Sequence, residues 1–484
     1  MSWDLFAVAI VPVAAAVACW LVPPSAGRAL TVTSGAASFA LTLLLVPASS
    51  VTAAGGWLRV DALSTVFLVA VSFLYAATGL FALGYLRPAG HRDARARYSR
   101  RFFAGLNLFA WSMSMALVVN ELALLWVAIE VTTVVSALLV AIDETDVATE
   151  AAWKYLLLAS MGLGVALLAT VVMYDAGSVV LGGSYDLFYP KLLAAAGRFP
   201  AQAVRLSFVL ALLGYGTKMG LVPMHTWLPD AHSEAPTPVS ALLSGSLLAV
   251  SFYAILRFYQ IAVRAIGPAF PRGALLAFGV ASLGLAALYL AGQRDLKRLL
   301  AYSSIEHMGV LAVGMSFGAP VAVVGVLLHV LAHAAAKGTA FFGAGSVLRK
   351  FGTKDMTRIR GGLGALPWSG PMLVLAVLGL CALPPSGIFR SEFLIVSGGF
   401  GDPADAATAV LVVLVTLASL GLTWHASQTM LEATPGGVVP GETSRLIVAA
   451  MLVGLVALTL LGLHPPGQLS DLLTRAAREL GSGT

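Results

Sequence analysis

Apolar runs of about twenty residues, the length a helix needs to cross a bilayer, recur along the chain with short polar breaks. Fourteen runs meet that need: 4–22, 29–47, 62–86, 102–120, 121–141, 153–174, 204–222, 237–262, 274–291, 299–317, 321–348, 369–387, 406–430 and 445–463. They are continuous and lack period-two alternation, so they predict spanning helices rather than the strands of a barrel. The first run has no basic segment before it and no small-residue cleavage site, and reads as a retained helix. The longest break, 175–203, is Gly-rich and predicts short interfacial structure. No stretch is long enough to form a separate soluble domain.

Basic residues concentrate in three breaks. After run three stand Arg87, Arg92, Arg95, Arg97, Arg100 and Arg101; after run nine, Arg294, Lys297 and Arg298; after run eleven, Arg349, Lys350, Lys354, Arg358 and Arg360. All three breaks follow odd-numbered runs, so all fall on one side of the membrane. The excess of Lys and Arg makes that side the cytoplasm of a cell membrane, with both termini outside. Arg264 and Arg272, after run eight, are the weaker contrary signal.

Composition agrees with this reading. Of 484 residues, 59% are hydrophobic and 11% charged, against about 25% charged in soluble chains. Such a chain cannot cover its own surface in water, which excludes a soluble enzyme, a disordered chain and a nucleic-acid binder. The net charge of +6 follows from cytoplasmic arginines. Cys19 and Cys381 lie in apolar runs and offer no disulfide framework and no iron–sulfur or zinc ligand set. No phosphate loop, haem motif or flavin motif stands out. Neither a cofactor nor a metal is therefore expected in this chain.

Function is sought where charge enters the apolar runs, since an ionisable group at bilayer depth costs about 3 kcal/mol. Four places stand out: Glu130, Lys218, the triplet His329, His333 and Lys337, and Glu392. Steps of four residues keep the triplet on one helix face, about 6 Å apart along the axis. Two imidazoles and an ammonium in a row can pass protons through intervening water. Lys218 and Glu130 can form a buried pair that acts as a switch or merely as a static contact. Glu306 and His307 are adjacent and point to different faces, so at most one need line a cavity. His225, Asp230, His232 and Glu234 lie between Pro223 and Pro236 and match no common metal-ligand spacing; a solvated connecting loop is expected there.

Two runs look broken. Lys218 is followed by Gly220 and Pro223, and run twelve is interrupted at Pro384 and Pro385. Freed backbone is tolerated at membrane depth only where it lines a hydrated cavity or is covered by protein. Runs four to eight and nine to thirteen form two blocks of five with the broken helix fourth in each. Counted this way, the blocks start on opposite faces, the pattern of an inverted-repeat transporter.

Three segments carry a family resemblance: Trp126-Val127-Ala128-Ile129-Glu130, the stretch from Lys218-Met219-Gly220 through Pro223-Met224-His225-Thr226-Trp227 to Asp230-Ala231-His232, and Tyr302-Ser303-Ser304-Ile305-Glu306-His307-Met308-Gly309. They resemble the antiporter-like membrane subunits of respiratory complex I, Mrp antiporters and group 4 hydrogenases. Glu150-Ala151-Ala152-Trp153-Lys154-Tyr155 and Phe351-Gly352-Thr353-Lys354-Asp355-Met356 resemble the hydrogenase-4 component F branch of that family most closely.

The resemblance implies an all-α polytopic membrane protein of about fourteen transmembrane helices, with two inverted five-helix repeats and broken helices 7 and 12. Helices 1–3 would occupy 1–101, the repeats 102–262 and 274–430, and helix 14 with a tail 445–484. It also implies a proton pathway through Glu130, Lys218, His329, His333, Lys337 and Glu392. Members often carry Lys or His on helix eight, where this chain reads Leu243-Ser244-Gly245-Ser246-Leu247-Leu248-Ala249. Ser244, Ser246, Glu306, His307 or water would then complete the path. The implied role is a proton-translocating subunit of a hydrogenase-like or complex I-like oxidoreductase. Its partners would be other membrane and peripheral subunits, which hold the redox centres, together with the lipid bilayer. The alternatives are a cation/proton antiporter subunit, with sodium as a second ion, or a non-conducting scaffold.

Overall fold

A computed structural model describes residues 2–86, 91–401, 404–434 and 438–481; Arg87 of the first basic cluster lies outside them. Each of the fourteen apolar runs is helical. The first six crossings are α1 (Ser2–Leu21), α2 (Pro24–Leu45), α3 (Ala62–Tyr85), α4 (Arg92–Val118), α5 (Leu122–Val140) and α6 (Asp146–Leu181). The seventh, α7, has two arms, Ala201–Met219 and Trp227–Glu234. Then follow α8 (Thr237–Ile266), with a π-helical turn at Leu243–Leu247, α9 (Ala269–Ala291), α10 (Leu296–Phe317) and α11 (Pro320–Phe351). The twelfth, α12, again has two arms, Ser369–Leu380 and Gly387–Gly399, and is followed by α13 (Asp405–Met430) and α14 (Arg445–Leu463). Among the described residues, eleven helices are long and apolar enough to cross a membrane unaided. The other crossings are the two interrupted helices and α10, which carries Lys297, Arg298 and Glu306.

The boundaries depart from the hydropathy pattern where polar residues continue a helix. The first basic cluster is a helical extension of α4, since Arg92 to Arg101 are good helix formers. The Gly-rich break is shorter than expected: α6 runs on to Leu181, and a short helix at Tyr189–Ala195 follows. Between α2 and α3, strands β1 (Ser50–Ala53) and β2 (Leu58–Asp61) pair antiparallel, with Val51 opposite Val60. In place of a plain C-terminal tail stands an amphipathic helix, α15 (Gly467–Glu479), which buries Leu472, Leu473, Ala476 and Ala477. Glu479 accepts from the N–H groups of Ala62 and Leu63 at 3.1 and 3.0 Å, where the N-terminus of α3 favours a carboxylate.

The helices differ in depth within the bundle. The apolar stretch of α8 is buried throughout, and that of α11 nearly so, whereas most of α13 faces outward. The buried helices are not the most apolar ones: α11 carries His329, His333 and Lys337, whereas the more apolar α13 and α14 turn most of their surface outward, where lipid accepts apolar side chains. Close crossings use small residues: at Gly214 of α7 an added Cβ would lie 2.5 Å from the amide nitrogen of Ala166 on α6.

The three basic clusters meet at one end of the molecule. Arg349 donates to the carbonyl of Gly84 at the end of α3. Lys354 lies 2.5 Å from Glu234 and 3.3 Å from Asp295, and the Met356 N–H reaches the Arg294 carbonyl at 2.7 Å. The β-hairpin, α15 and the buried Arg257–Asp61 pair, at 2.7 Å, lie at the other end. Burial pushes the Asp61 carboxyl up, and the Arg257 guanidinium outweighs it, leaving the group below the usual carboxylate range. The first helix of the α4–α8 block starts at the basic end and α9 at the opposite one, so the two blocks run inverted. Their broken helices, α7 and α12, each stand fourth.

Candidate functional site

Two clusters of buried polar groups lie inside the apolar bundle, with a third set between them. The first is built on α5, α6 and α7. Lys218 occupies the last turn of the first arm of α7, which ends on Gly220 at φ +85°. The lysine is fully buried. Its Nζ donates to Thr133 Oγ1 at 2.7 Å and to the Tyr155 hydroxyl at 2.6 Å. Tyr155 in turn lies 2.7 Å from Ser136 Oγ. Glu130 takes a hydrogen bond from Ser160 at 2.7 Å on one oxygen, while its other oxygen is buried without a partner. Lys218 is thus held by hydroxyls rather than by Glu130. Tyr155 escaped sequence reasoning because an aromatic in an apolar run looks like core packing.

The second cluster brings together α10, α11 and α12. His329, His333 and Lys337 share one face of α11, as their spacing requires, and all three are fully buried. Lys337 donates to Ser303 Oγ at 2.5 Å and to the Leu300 carbonyl at 2.9 Å. His329 Nδ1 lies 2.9 Å from Ser391 Oγ. The Ser391 hydroxyl already donates to the Ile388 carbonyl at 2.8 Å. It therefore accepts from His329 Nδ1–H, which leaves the lone pair on His329 Nε2. That nitrogen is 3.2 Å from His307 Nδ1, and Glu392 Oε1 is 4.0 Å from the same His307 atom. His307 stands 5.1 Å from His329 and 5.2 Å from His333 between ring centroids, closer than the 6.3 Å separating the two α11 rings. The His307 ring of α10 thus stands between the two α11 rings. Glu306 is buried as well, but α10 is buried on every side, so the adjacent pair can still point to different faces. Both ring nitrogens of His333, Glu306 Oε1 and Glu392 Oε1 are buried without partners. A cavity of about 430 Å³ between α10, α12 and α13, lined by Phe389, Phe393 and Cys381, reaches Glu392.

Between the clusters, Ser244 Oγ on the π turn of α8 lies 2.7 Å from Ser304 Oγ, and Ser246 Oγ is buried without a partner. The segment expected to be a solvated loop is instead the second arm of α7, with Trp227 and His232 fully buried. Pro229 is tolerated because it falls in the first helical turn, where its missing N–H is not needed. Trp227 Nε1–H donates to the Thr217 carbonyl at 2.8 Å and ties the two arms together. His232 Nδ1–H donates to the Leu228 carbonyl at 2.8 Å, and its Nε2 has no partner. The His232 ring is 6.1 Å from Phe341, one turn beyond Lys337 on α11. An interior imidazole that sequence reading placed in a loop therefore stands beside α11, one turn from Lys337. Asp230 and Glu234 turn to the basic end, 3.0 Å from Arg298 and 2.5 Å from Lys354, and so do not join the histidines in a metal set.

Known proteins share this architecture. Residues 119–421 match the family described as NADH:quinone oxidoreductase/Mrp antiporter, transmembrane. The chain is 38% identical over 365 residues to a hydrogenase-4 component F homolog of Methylacidiphilum infernorum, covering 75% of this chain and 76% of that protein. A chain of respiratory complex I from Thermus thermophilus superposes with a TM-score of 0.82 at 25% identity, over 99% of this chain and 100% of that one. A chain of the Mrp complex from a Dietzia species gives 0.84 at 19% identity, over 99% and 98%, a likeness of fold alone. With its broken helices, its matched segment and its relatives all agreeing, the chain is a multi-pass membrane protein belonging to the NADH:quinone oxidoreductase/Mrp antiporter family of transmembrane subunits.

Proposed function

We propose that this chain is the proton-translocating membrane subunit of an energy-converting hydrogenase-like or complex I-like oxidoreductase. Partner subunits hold the redox centres, and the chain carries no cofactor of its own. The observation that carries this reading is the row of polar groups inside the bundle, from half-buried Glu130 and buried Lys218 to Glu392, several with buried atoms that have no hydrogen-bond partner in the protein. Such groups are expensive in an apolar bundle and persist where they conduct. A proton hop needs donors and acceptors in hydrogen-bond reach or joined by one water. Glu130 and Lys218 act as the switch of the first repeat, α4–α8. Lys337, His333, His307 and His329 pass the proton along the second repeat, 274–430, to Glu392. His232, Ser244, Ser246 and Glu306 bridge the two. Helices α1–α3 and α14 with its C-terminal segment (445–484) flank the repeats; the first boundary falls before Arg92 rather than at 101, since α4 starts there. The basic end faces the cytoplasm and both termini face outside, in the cell membrane.

A second reading, a Mrp-type cation/proton antiporter subunit, is favoured by the fold likeness to the Mrp complex. The two separate in proteoliposomes holding the purified complex, with a pH dye reporting proton uptake in sodium-free medium. We expect redox subunits in the complex and proton uptake that persists without sodium. Uptake that requires sodium and no redox partner would establish the antiporter. Redox turnover without uptake would leave a scaffold.

A further inference from the structure

We propose that His307, His329 and Glu392 form a binding site for a divalent transition-metal cation of the zinc class. One donor atom from each lies within 4.8 Å of the others, and the three residues come from three different helices, α10, α11 and α12. Sequence spacing could not show this set, because no two of its members lie on the same helix.

The geometry suits a tetrahedral ion. With zinc–nitrogen bonds of about 2.0–2.1 Å, two imidazole donors sit roughly 3.3 Å apart. His307 Nδ1 and His329 Nε2 are 3.2 Å apart. Glu392 Oε1, at 4.0 Å from His307 Nδ1, closes on the ion by a small rotation of its carboxylate. That oxygen is buried without a partner, and a buried acceptor with no donor calls for an explanation. A plain hydrogen bond between the imidazoles accounts for the 3.2 Å contact but leaves Glu392 Oε1 unsatisfied; a cation satisfies all three donors. Ser391 supports the site from behind. By accepting from His329 Nδ1–H it fixes the tautomer that presents Nε2, the arrangement that orients metal-bound histidines. Two imidazoles and one carboxylate select zinc, cobalt or nickel over magnesium and calcium, which take oxygen sets. The fourth position falls to water or to His333, whose ring nitrogens are free of partners.

A consequence rests on the proposed proton route. Donors bound to a metal cannot carry protons, so zinc should block flux at the Glu392 end of the path. Binding and blocking are tested separately. The purified complex, stripped of metal, is titrated with cobalt(II) and read by its visible absorption. We expect one tetrahedral cobalt per chain, displaced by zinc. Glu392→Gln and His307→Gln should remove the tetrahedral band with native-gel yield unchanged. Ser391→Ala should weaken cobalt binding roughly 10–100-fold, and Ser391→Thr should restore it. His225→Gln, away from the cluster, should bind as the parent does. No tetrahedral band in the parent complex, or a band that survives in both Glu392→Gln and His307→Gln, overturns the site. If cobalt binds as expected yet zinc leaves proton uptake untouched, the site stands and the proton route through it falls.

Discussion

At the scale of single residues, the candidate pathway divides into groups that announce themselves and groups that do not. Lys218, His329, His333, Lys337 and Glu392 were legible because a titratable group in an apolar run has a cost that demands a reason. His232 was not, since the prolines around it read as a loop and only the folded arm shows the ring inside. His307 was ambiguous for a different reason. The period of a helix that is apolar on every side does not say which face meets the centre. His232 supplies a test. In His232→Gln the side-chain amide can still donate to the Leu228 carbonyl, so the arm should stay folded. We expect redox-driven proton uptake to fall severalfold with native-gel yield unchanged; uptake equal to the parent would take the second arm of α7 out of the path. Tyr155→Phe keeps the ring beside Lys218 and removes the hydroxyl that holds it. It should cost about 1 kcal/mol in thermal stability and slow uptake, and a parental rate would make Tyr155 a structural neighbour only.

At the scale of elements, hydropathy found every crossing but misjudged what polar residues do at the ends. The extension of α4, the hairpin of β1 and β2, and α15 all lie outside the apolar runs, where only amphipathic pattern and docking contacts define structure. The breaks in α7 and α12 were legible because proline removes a helix hydrogen bond wherever it falls past the first turn. What sequence could not give is how closely the arms pack. Gly214 stands one turn before Lys218, where α7 meets α6 almost backbone to backbone: an added Cβ would lie 2.5 Å from Ala166 N and 2.7 Å from the Gly162 carbonyl oxygen. Gly214→Ala therefore overpacks this crossing, an effect of about 1–3 kcal/mol, and shifts Lys218 against Thr133 and Tyr155. Thermal unfolding of the purified complex should start at lower temperature and proton uptake should drop; unchanged melting would show that the crossing relaxes freely.

At the scale of the whole molecule, the proposed conduction depends on topology, because an inverted pair of repeats would place a half-path on each side of the centre. The count of runs already put the three basic clusters on one side, and contacts among Gly84, Arg349, Lys354 and Asp295 gather them at one end. Gln468, at the exposed start of α15, reports on the end opposite Arg95. In intact cells, a membrane-impermeant thiol reagent should label Gln468→Cys and not Arg95→Cys, and in inverted vesicles the reverse. Labelling of both from one side would mean an odd error in the count. The central claim is that the buried polar axis carries protons, and Lys218→Met tests it most directly, since methionine keeps the apolar stem and removes only the amine. In proteoliposomes holding the intact complex, we expect redox turnover without proton uptake and an unchanged native-gel yield, whereas proton uptake at the parental rate would contradict the account.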